Sequence, residues 1–193
     1  RPVCEIQFYG FFFPAADQTF TQLAKLRARS EGRLSLPVVI RIPYGGGIGA
    51  VEHHSESPEA YFTHTAGLRV VTVATPEDAY WMIQQAIACP DPVVFLEPKR
   101  RYWDKAPVRT DGSVDTATPM GEARIVRPGT DVTLVAYGPM VKVALHAAEA
   151  DTERSIEVID LRSLSPVDYD TVYESVRRTG RLGVTHEAPV TSG

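Results

Sequence analysis

Apolar residues between positions 20 and 28 fall at Phe20, Leu23, Ala24 and Ala28, with Gly32 just beyond. That spacing is the buried stripe of a helix followed by its terminator. Residues 3–8 and 37–42 read instead as strands, and residues 68–73, rich in valine between Gly67 and Pro76, read as a buried one. Thr75 then caps a helix that has Pro76 at its first position and Glu77 and Asp78 in its first turn. Ala79, Met82, Ile83, Ala86 and Ile87 form its inner face, and it stops before Pro90. Residues 92–96 make the next strand. Strand, helix, strand is the rhythm of a parallel α/β unit with a right-handed crossover.

Periodicity disappears over residues 97–120, where Pro98, Pro107, Gly112 and Pro119 mix with Lys99, Arg100, Arg101 and Asp111. A linker is expected there. A second alternation follows: a strand over 131–137, a helix over 140–150 with Val141, Ala144, Leu145 and Ala148 inward, and a strand over 156–160. A helix over 168–179, closed by Gly180 with Arg177 and Arg178 in its last turn, precedes a final strand over 182–185. This half is thus expected to hold three strands and no terminal helix. The chain divides into an α/β unit over 1–97, a linker over 98–120 and a second α/β unit over 121–193. It opens at Arg1, without methionine, directly in strand-like sequence, so both units are expected to be incomplete and the chain to be the middle of a longer one.

With 193 residues, 44% of them apolar and 23% charged, the chain is too apolar for disorder. Its 20 Lys and Arg against 24 Asp and Glu leave a net charge of −4 and no basic surface, so nucleic acid is not an expected partner. No window approaches the ~20 continuous apolar residues of a membrane span. Cys4 and Cys89 form no CxxC pair, which suits a reducing cytoplasm and excludes a structural zinc cluster.

The segment Tyr44-Gly45-Gly46-Gly47-Ile48-Gly49 is a loop. Its spacing matches neither GxGxxG nor a P-loop, which leaves a structural turn, or a wall that another chain or ligand approaches closely, ahead of a phosphate cradle. His53 and His54 follow, with Glu56, Glu59 and His64 nearby. Neighbouring histidines on a strand point apart, so no zinc site is expected. One histidine beside this loop suits general acid/base work, the alternative being a solvated side chain. The run Phe8, Tyr9, Phe11, Phe12, Phe13 reads as core or interface. If it is a strand, one of Phe11 or Phe12 leaves the core and offers its ring to a planar ligand. No Gly-x-Ser-x-Gly elbow or placed cysteine nucleophile appears.

Six blocks, in order, carry a resemblance to a known family: EIQFYGFFFPAADQ from Glu5, RIPYGGGIGAVEHHSESPEAYFTHTAGLRVV from Arg41, DPVVFLEPKRRY from Asp91, GTDVTLVAYG from Gly129, EVIDLRSLSP from Glu157 and TGRLGVTHEAP from Thr179. Together they resemble the beta subunit of the thiamine diphosphate-dependent 2-oxo acid dehydrogenases. The resemblance implies a transketolase-like pyrimidine-binding domain, a parallel sheet flanked by helices, followed by a transketolase C-terminal-type α/β domain. It matches Phe11 to the aromatic position, usually tyrosine, that packs on the cofactor's aminopyrimidine, and His54 to the histidine that assists proton transfer as the acyl group passes to the lipoyl arm. His53 stands where tyrosine is common and is assigned no chemistry. A potassium site of backbone carbonyls is matched to Leu36, Val38 and Val39 and to Ala86, Cys89 and Asp91, oxygen donors being what hard cations take. The family glutamate that activates the aminopyrimidine is expected upstream of Glu5.

The wording around His54 and the segment HEAPVTSG resemble the branched-chain enzymes more than the pyruvate enzymes. The implied function is thiamine diphosphate-dependent oxidative decarboxylation of a small branched 2-oxo acid with reductive acylation of lipoamide. The implied partners are an alpha subunit in an alpha2-beta2 tetramer, which holds the diphosphate and Mg2+, and a lipoyl-bearing acyltransferase core. The compartment implied is the bacterial cytoplasm, or the mitochondrial matrix in a eukaryote. A pyruvate or acetoin enzyme of the same family, and a non-catalytic assembly module, are the alternatives.

Overall fold

Alternation along three parallel strands sorts the first half into two cores. The structure, a computed structural model, describes residues 1–114 and 117–191. β1 (Val3–Glu5) leads into a 3-10 turn, Tyr9–Phe11. A helical run then begins at α1 (Phe13–Asp17), passes through π-helical geometry at Gln18–Leu23 and ends in α2 (Leu26–Arg29). The strand expected over 3–8 therefore stops at Glu5. Pro14 in the first turn of α1 starts the helix seven residues before Phe20, where the apolar stripe begins. After β2 (Val39–Tyr44) and the glycine loop come α3 (Glu59–Thr63), β3 (Arg69–Thr72), α4 (Pro76–Ala88) and β4 (Val93–Pro98). Val39, Val71, Val93 and Phe95 face Met82 and Ala86 of α4, while Ile40, Ile42, Val70, Val94 and Leu96 face the opposite side with Tyr9, Phe12 and Phe62. Period-two side chains on a sheet covered on both faces produce this division.

The Thr75 cap forms as expected, its hydroxyl accepting from Asp78 N at 3.1 Å. The segment read as a linker lies strapped across α4. Trp81 Nε1 donates to the Arg109 carbonyl at 3.0 Å, Gln85 Nε2 donates to the Thr118 carbonyl at 3.1 Å, and Met120 enters the core beside Met82.

The second half holds β5 (Arg124–Arg127), β6 (Val132–Ala136), α5 (Met140–Ala150), β7 (Ile156–Asp160), β8 (Ser163–Ser165), α6 (Tyr169–Thr179) and β9 (Leu182–Thr185). Its own sheet runs β5-β7-β6-β9, parallel except for β5. The expectation of three strands is thus corrected. β5 adds an antiparallel edge, and β8 crosses over to pair antiparallel with β3, completing a first sheet of order β1-β2-β4-β3-β8. Both extra strands are short, with polar residues at their ends, so neither shows an apolar period. The core on the far side of the first sheet from α4 is also shared, because Val135, Ile159, Leu161, Leu164 and Val172 pack into it. Among the described residues, no helix is long and apolar enough to cross a membrane.

Arg162 joins the halves. It is 1% exposed and holds a left-handed φ of 57° between β7 and β8. Its carbonyl accepts from Thr72 N of β3 at 2.9 Å. Its guanidinium reaches Asp78 Oδ1 at 3.1 Å and the carbonyls of Pro119, Glu122 and Thr118 at 2.9, 2.8 and 3.2 Å. Arg124 bonds the other oxygen of Asp78. A buried cation with this many acceptors is satisfied, whereas removing it strands a carboxylate and several carbonyls. Arg162→Met is expected to cost about 3–5 kcal/mol, the range for breaking a buried pair, read from urea unfolding. A cost below about 1 kcal/mol, the scale of exposed pairs, would contradict this role.

Candidate active site

Two turns meet at the C-terminal edge of the first sheet. One is Tyr9–Phe11, leaving β1, and the other is Glu52–His54, near the end of the loop after β2. They touch because residue 10 is glycine: a Cβ there would lie 2.5 Å from the His53 carbonyl oxygen. The loop closes on itself where Gly45 N donates to Glu56 O at 2.8 Å, and inside it Ser55 Oγ donates to Ala50 O at 3.1 Å and His54 N to Val51 O at 3.0 Å. Such a closed loop is a rigid carrier for its side chains.

Phe11 and His54 come together in this arrangement. Their ring centroids lie 5.6 Å apart at 82°, and Phe8 packs edge-on to His54 at 4.8 Å. Phe11 is 49% exposed while Phe12 is 1% exposed. The aromatic run thus divides as expected, but through a 3-10 turn and not a strand. The histidines likewise sit on a turn, with rings 4.0 Å apart, where a strand would have pointed them away from each other. His54 Nδ1 is buried with no partner among the described residues.

Behind the histidine turn, β4 ends in a further 3-10 turn, Lys99–Arg101. Lys99 Nζ donates to the His54 carbonyl and stands 5.0 Å above the Phe8 ring. Burial lowers the Lys99 pKa, and the Glu187 carboxylate partly offsets this. Glu187, just after β9, accepts from Gly46 N at 3.3 Å and lies 3.5 Å from Arg100 Nη2. The glycine loop is therefore a wall against which a carboxylate from the second half packs. Arg100 also lies close over the loop, where a Cβ on Gly47, itself at φ 86°, would lie 2.5 Å from its Nε and make that side chain shift.

Deeper in, Glu59 is 4% exposed and neither carboxylate oxygen has a partner among the described residues. Burial first, then Glu187, raises its pKa to about 7. Tyr44 and Tyr137 are pushed up by burial, with Glu59 adding to the shift. Tyr137 stacks on His186 at 6.1 Å and 4°. Gly10, Glu59, Lys99 and Glu187 are not singled out by sequence reasoning alone. A glycine inside an aromatic run, and three cations directly after a fully buried strand, are the signals that point to Gly10 and Lys99.

The carbonyl set sits elsewhere, at the N-terminal edge of the parallel strands. Leu36 N donates to Pro90 O at 3.1 Å and Val93 N to Val38 O at 2.9 Å, which draws the segments around Leu36, Val38 and Val39 and around Ala86, Cys89 and Asp91 into one corner. The Arg1 guanidinium donates to the carbonyls of Ile87 and Cys89 at 2.6 and 3.1 Å, a cation at the negative end of α4. The Asp91 carboxylate is held by Arg27 and Arg69. Two of the expected donors, the carbonyls of Val38 and Cys89, thus already accept hydrogen bonds from Val93 N and Arg1, with which an ion would have to compete.

Glu59 makes stability depend on pH. Below the ordinary 4.5 its carboxyl is protonated in both states, and between 4.5 and about 7 only the unfolded chain releases the proton. The stability it contributes is complete below 4.5 and is lost as pH rises through about 7. Asp160, also raised to about 7 by burial and then by Asp78, acts with the same sign and is unchanged in the variant. Glu59→Gln is expected to gain up to about 3 kcal/mol over the parent as pH rises through this window, read from urea unfolding across pH. Parallel stability profiles for the two proteins would contradict this.

Residues 1–104 match the family described as transketolase, pyrimidine binding domain, and residues 121–193 match transketolase, C-terminal domain. A pyruvate dehydrogenase E1 component subunit beta from Leifsonia xyli subsp. xyli is 61% identical over 98% of this chain and 56% of its own length. A 3-methyl-2-oxobutanoate dehydrogenase subunit beta from Mycobacterium tuberculosis is 54% identical over 100% of this chain and 55% of its own length. The chain thus spans about half the length of these curated relatives. A solved structure described as split gene transketolase, inactive beta4 tetramer, superposes with a TM-score of 0.74 at 23% identity, covering 100% of this chain and 57% of that one. This likeness supports the fold. The chain belongs to the family that joins a transketolase pyrimidine-binding domain to a transketolase C-terminal domain, and its relatives are beta subunits of 2-oxo acid dehydrogenases.

Proposed function

We propose that this chain is part of the beta subunit of a branched-chain 2-oxo acid dehydrogenase, working with an alpha subunit and a lipoyl-bearing acyltransferase. The observation that supports a thiamine-dependent role is the pairing of a half-exposed Phe11 ring with His54 at 5.6 Å, in a chain of this family, while the branched-chain assignment rests on the wording around His54 and on the segment HEAPVTSG. Thiamine diphosphate, when bound, supplies the carbanion chemistry that releases carbon dioxide from a 2-oxo acid. Phe11 keeps an open ring face for the aminopyrimidine, and phenylalanine there offers stacking without a hydroxyl. His54 has Nδ1 sealed among aromatic carbons, so proton exchange with the reacting acyl group runs through Nε2. Phe8 and the loop closure at Gly45 and Glu56 hold the ring in place and screen its inner edge from water. The backbone oxygens of Leu36, Val38, Val39, Ala86, Cys89 and Asp91 would hold potassium away from the reacting centre, while Mg2+ and the diphosphate fall to the alpha subunit.

A pyruvate enzyme is the second reading, favoured by the 61% identity to the Leifsonia protein. The complete coding sequence, co-expressed with its alpha partner, is expected to show a higher kcat/KM for 3-methyl-2-oxobutanoate than for pyruvate. The reverse order selects the second reading, and inactivity toward all 2-oxo acids refutes both. In the same complex, His54→Ala is expected to slow lipoyl acylation about a hundredfold while the Kd for thiamine diphosphate changes little. Unaltered acylation would reduce His54 to a structural side chain.

A further inference from the structure

Lys99 is 4% exposed, and among the described residues no carboxylate lies within ion-pair distance of its ammonium. Glu187 acts on it only at longer range and is engaged by Arg100 and Gly46 instead. Desolvating an ammonium without a counter-ion costs folding stability, and a methionine would fill the same stem without that cost. The position therefore offers the fold little that an apolar residue would not. What the charge does make is local to the histidine: a hydrogen bond to the His54 carbonyl, and a cation over the Phe8 ring that packs edge-on against the His54 imidazole.

We propose that Lys99 is a positioning residue for His54, fixing the peptide plane that follows the histidine and the aromatic ring beside it, and so setting the direction of the imidazole. The His54 turn is then held from both sides, by Val51 O through His54 N and by Lys99 Nζ through His54 O. Lys99 follows β4 directly, so the turn is referenced to the most buried strand of the sheet, whose six residues are all buried. Arg100, next in sequence, lies against Gly47 and near Glu187. One turn therefore anchors both ends of the loop that carries His54. A misplacement of the imidazole by about 1 Å is enough to cost about a hundredfold in rate.

This inference rests on the reading of His54 as the proton-transferring group, and a double-mutant cycle separates the two. In the complete beta chain assembled with its alpha partner, lipoyl acylation and dye-linked decarboxylation are measured for Lys99→Met, Lys99→Arg, His54→Ala and the Lys99→Met, His54→Ala double variant. Lys99→Met is expected to lower kcat for acylation at least tenfold, with KM for the 2-oxo acid within threefold and the thermal midpoint within about 4 °C of the parent. Lys99→Arg, which keeps a donor, is expected to recover part of that loss. In the His54→Ala background Lys99→Met is expected to add nothing, because it acts through the missing ring. Multiplicative losses, or no recovery by arginine, would overturn the proposal. If His54→Ala leaves acylation intact, the reading of His54 fails instead. Hydrogen exchange then decides the positioning role by itself: Lys99→Met should speed exchange at residues 51–55 at least tenfold with α4 unchanged, and an unchanged turn would refute it.

Discussion

The bond between Arg162 and Asp78 is the interaction on which the rest of the molecule depends. Asp78 sits in the first turn of α4, where the helix dipole and the Thr75 cap already favour a carboxylate. Its two oxygens then receive Arg124 and Arg162 from the second half. Because Arg162 also gathers the carbonyls of Thr118, Pro119 and Glu122, one side chain fixes the helix, the end of the connecting segment and the start of the second sheet. Its own carbonyl begins the pairing of β3 with β8. The left-handed φ at this residue is the strain accepted to aim backbone and side chain in opposite directions.

With the halves locked, the second one becomes a wall of the candidate site. Gly138, at the start of α5, has no room for a Cβ beside the Tyr44 hydroxyl, which is bonded to Thr72 at 2.9 Å. Glu187 reaches the glycine loop from beyond β9, 141 residues away in sequence. The loop thus has one side set by β4 through Lys99 and Arg100, and the other by the second half through Glu187. Phe11 and His54 face each other because both supports are in place and because Gly10 lets the two turns meet.

Much of this was legible in the sequence where local chemistry decides structure. The Thr75 cap with Pro76, the Gly180 terminator at φ 69° and the strand over Leu182–Thr185 all follow from short patterns. The missed elements are those whose stability is non-local. β8 holds three residues with serines at both ends, and β5 alternates little, so each is a strand only because a partner is present. The aromatic run misleads for a related reason: Phe and Tyr favour strands, but Gly10 and Pro14 set a turn and a helix start. The resemblance to the family points to Phe11 and His54, two rings that the fold brings together. Lys99 and Glu187 lie within the matching blocks without an assigned role, and their contacts appear only when distant segments meet.

Native-state hydrogen exchange on this chain tests the central claim, that the two halves form one cooperative unit through the Arg162 joint. The amides of β8, β6 and β7 are expected to exchange with the same opening free energy as those of β3 and β4, at the level of global unfolding. Exchange of residues 121–191 through a separate, lower-energy opening that leaves β3 and β4 protected would contradict it.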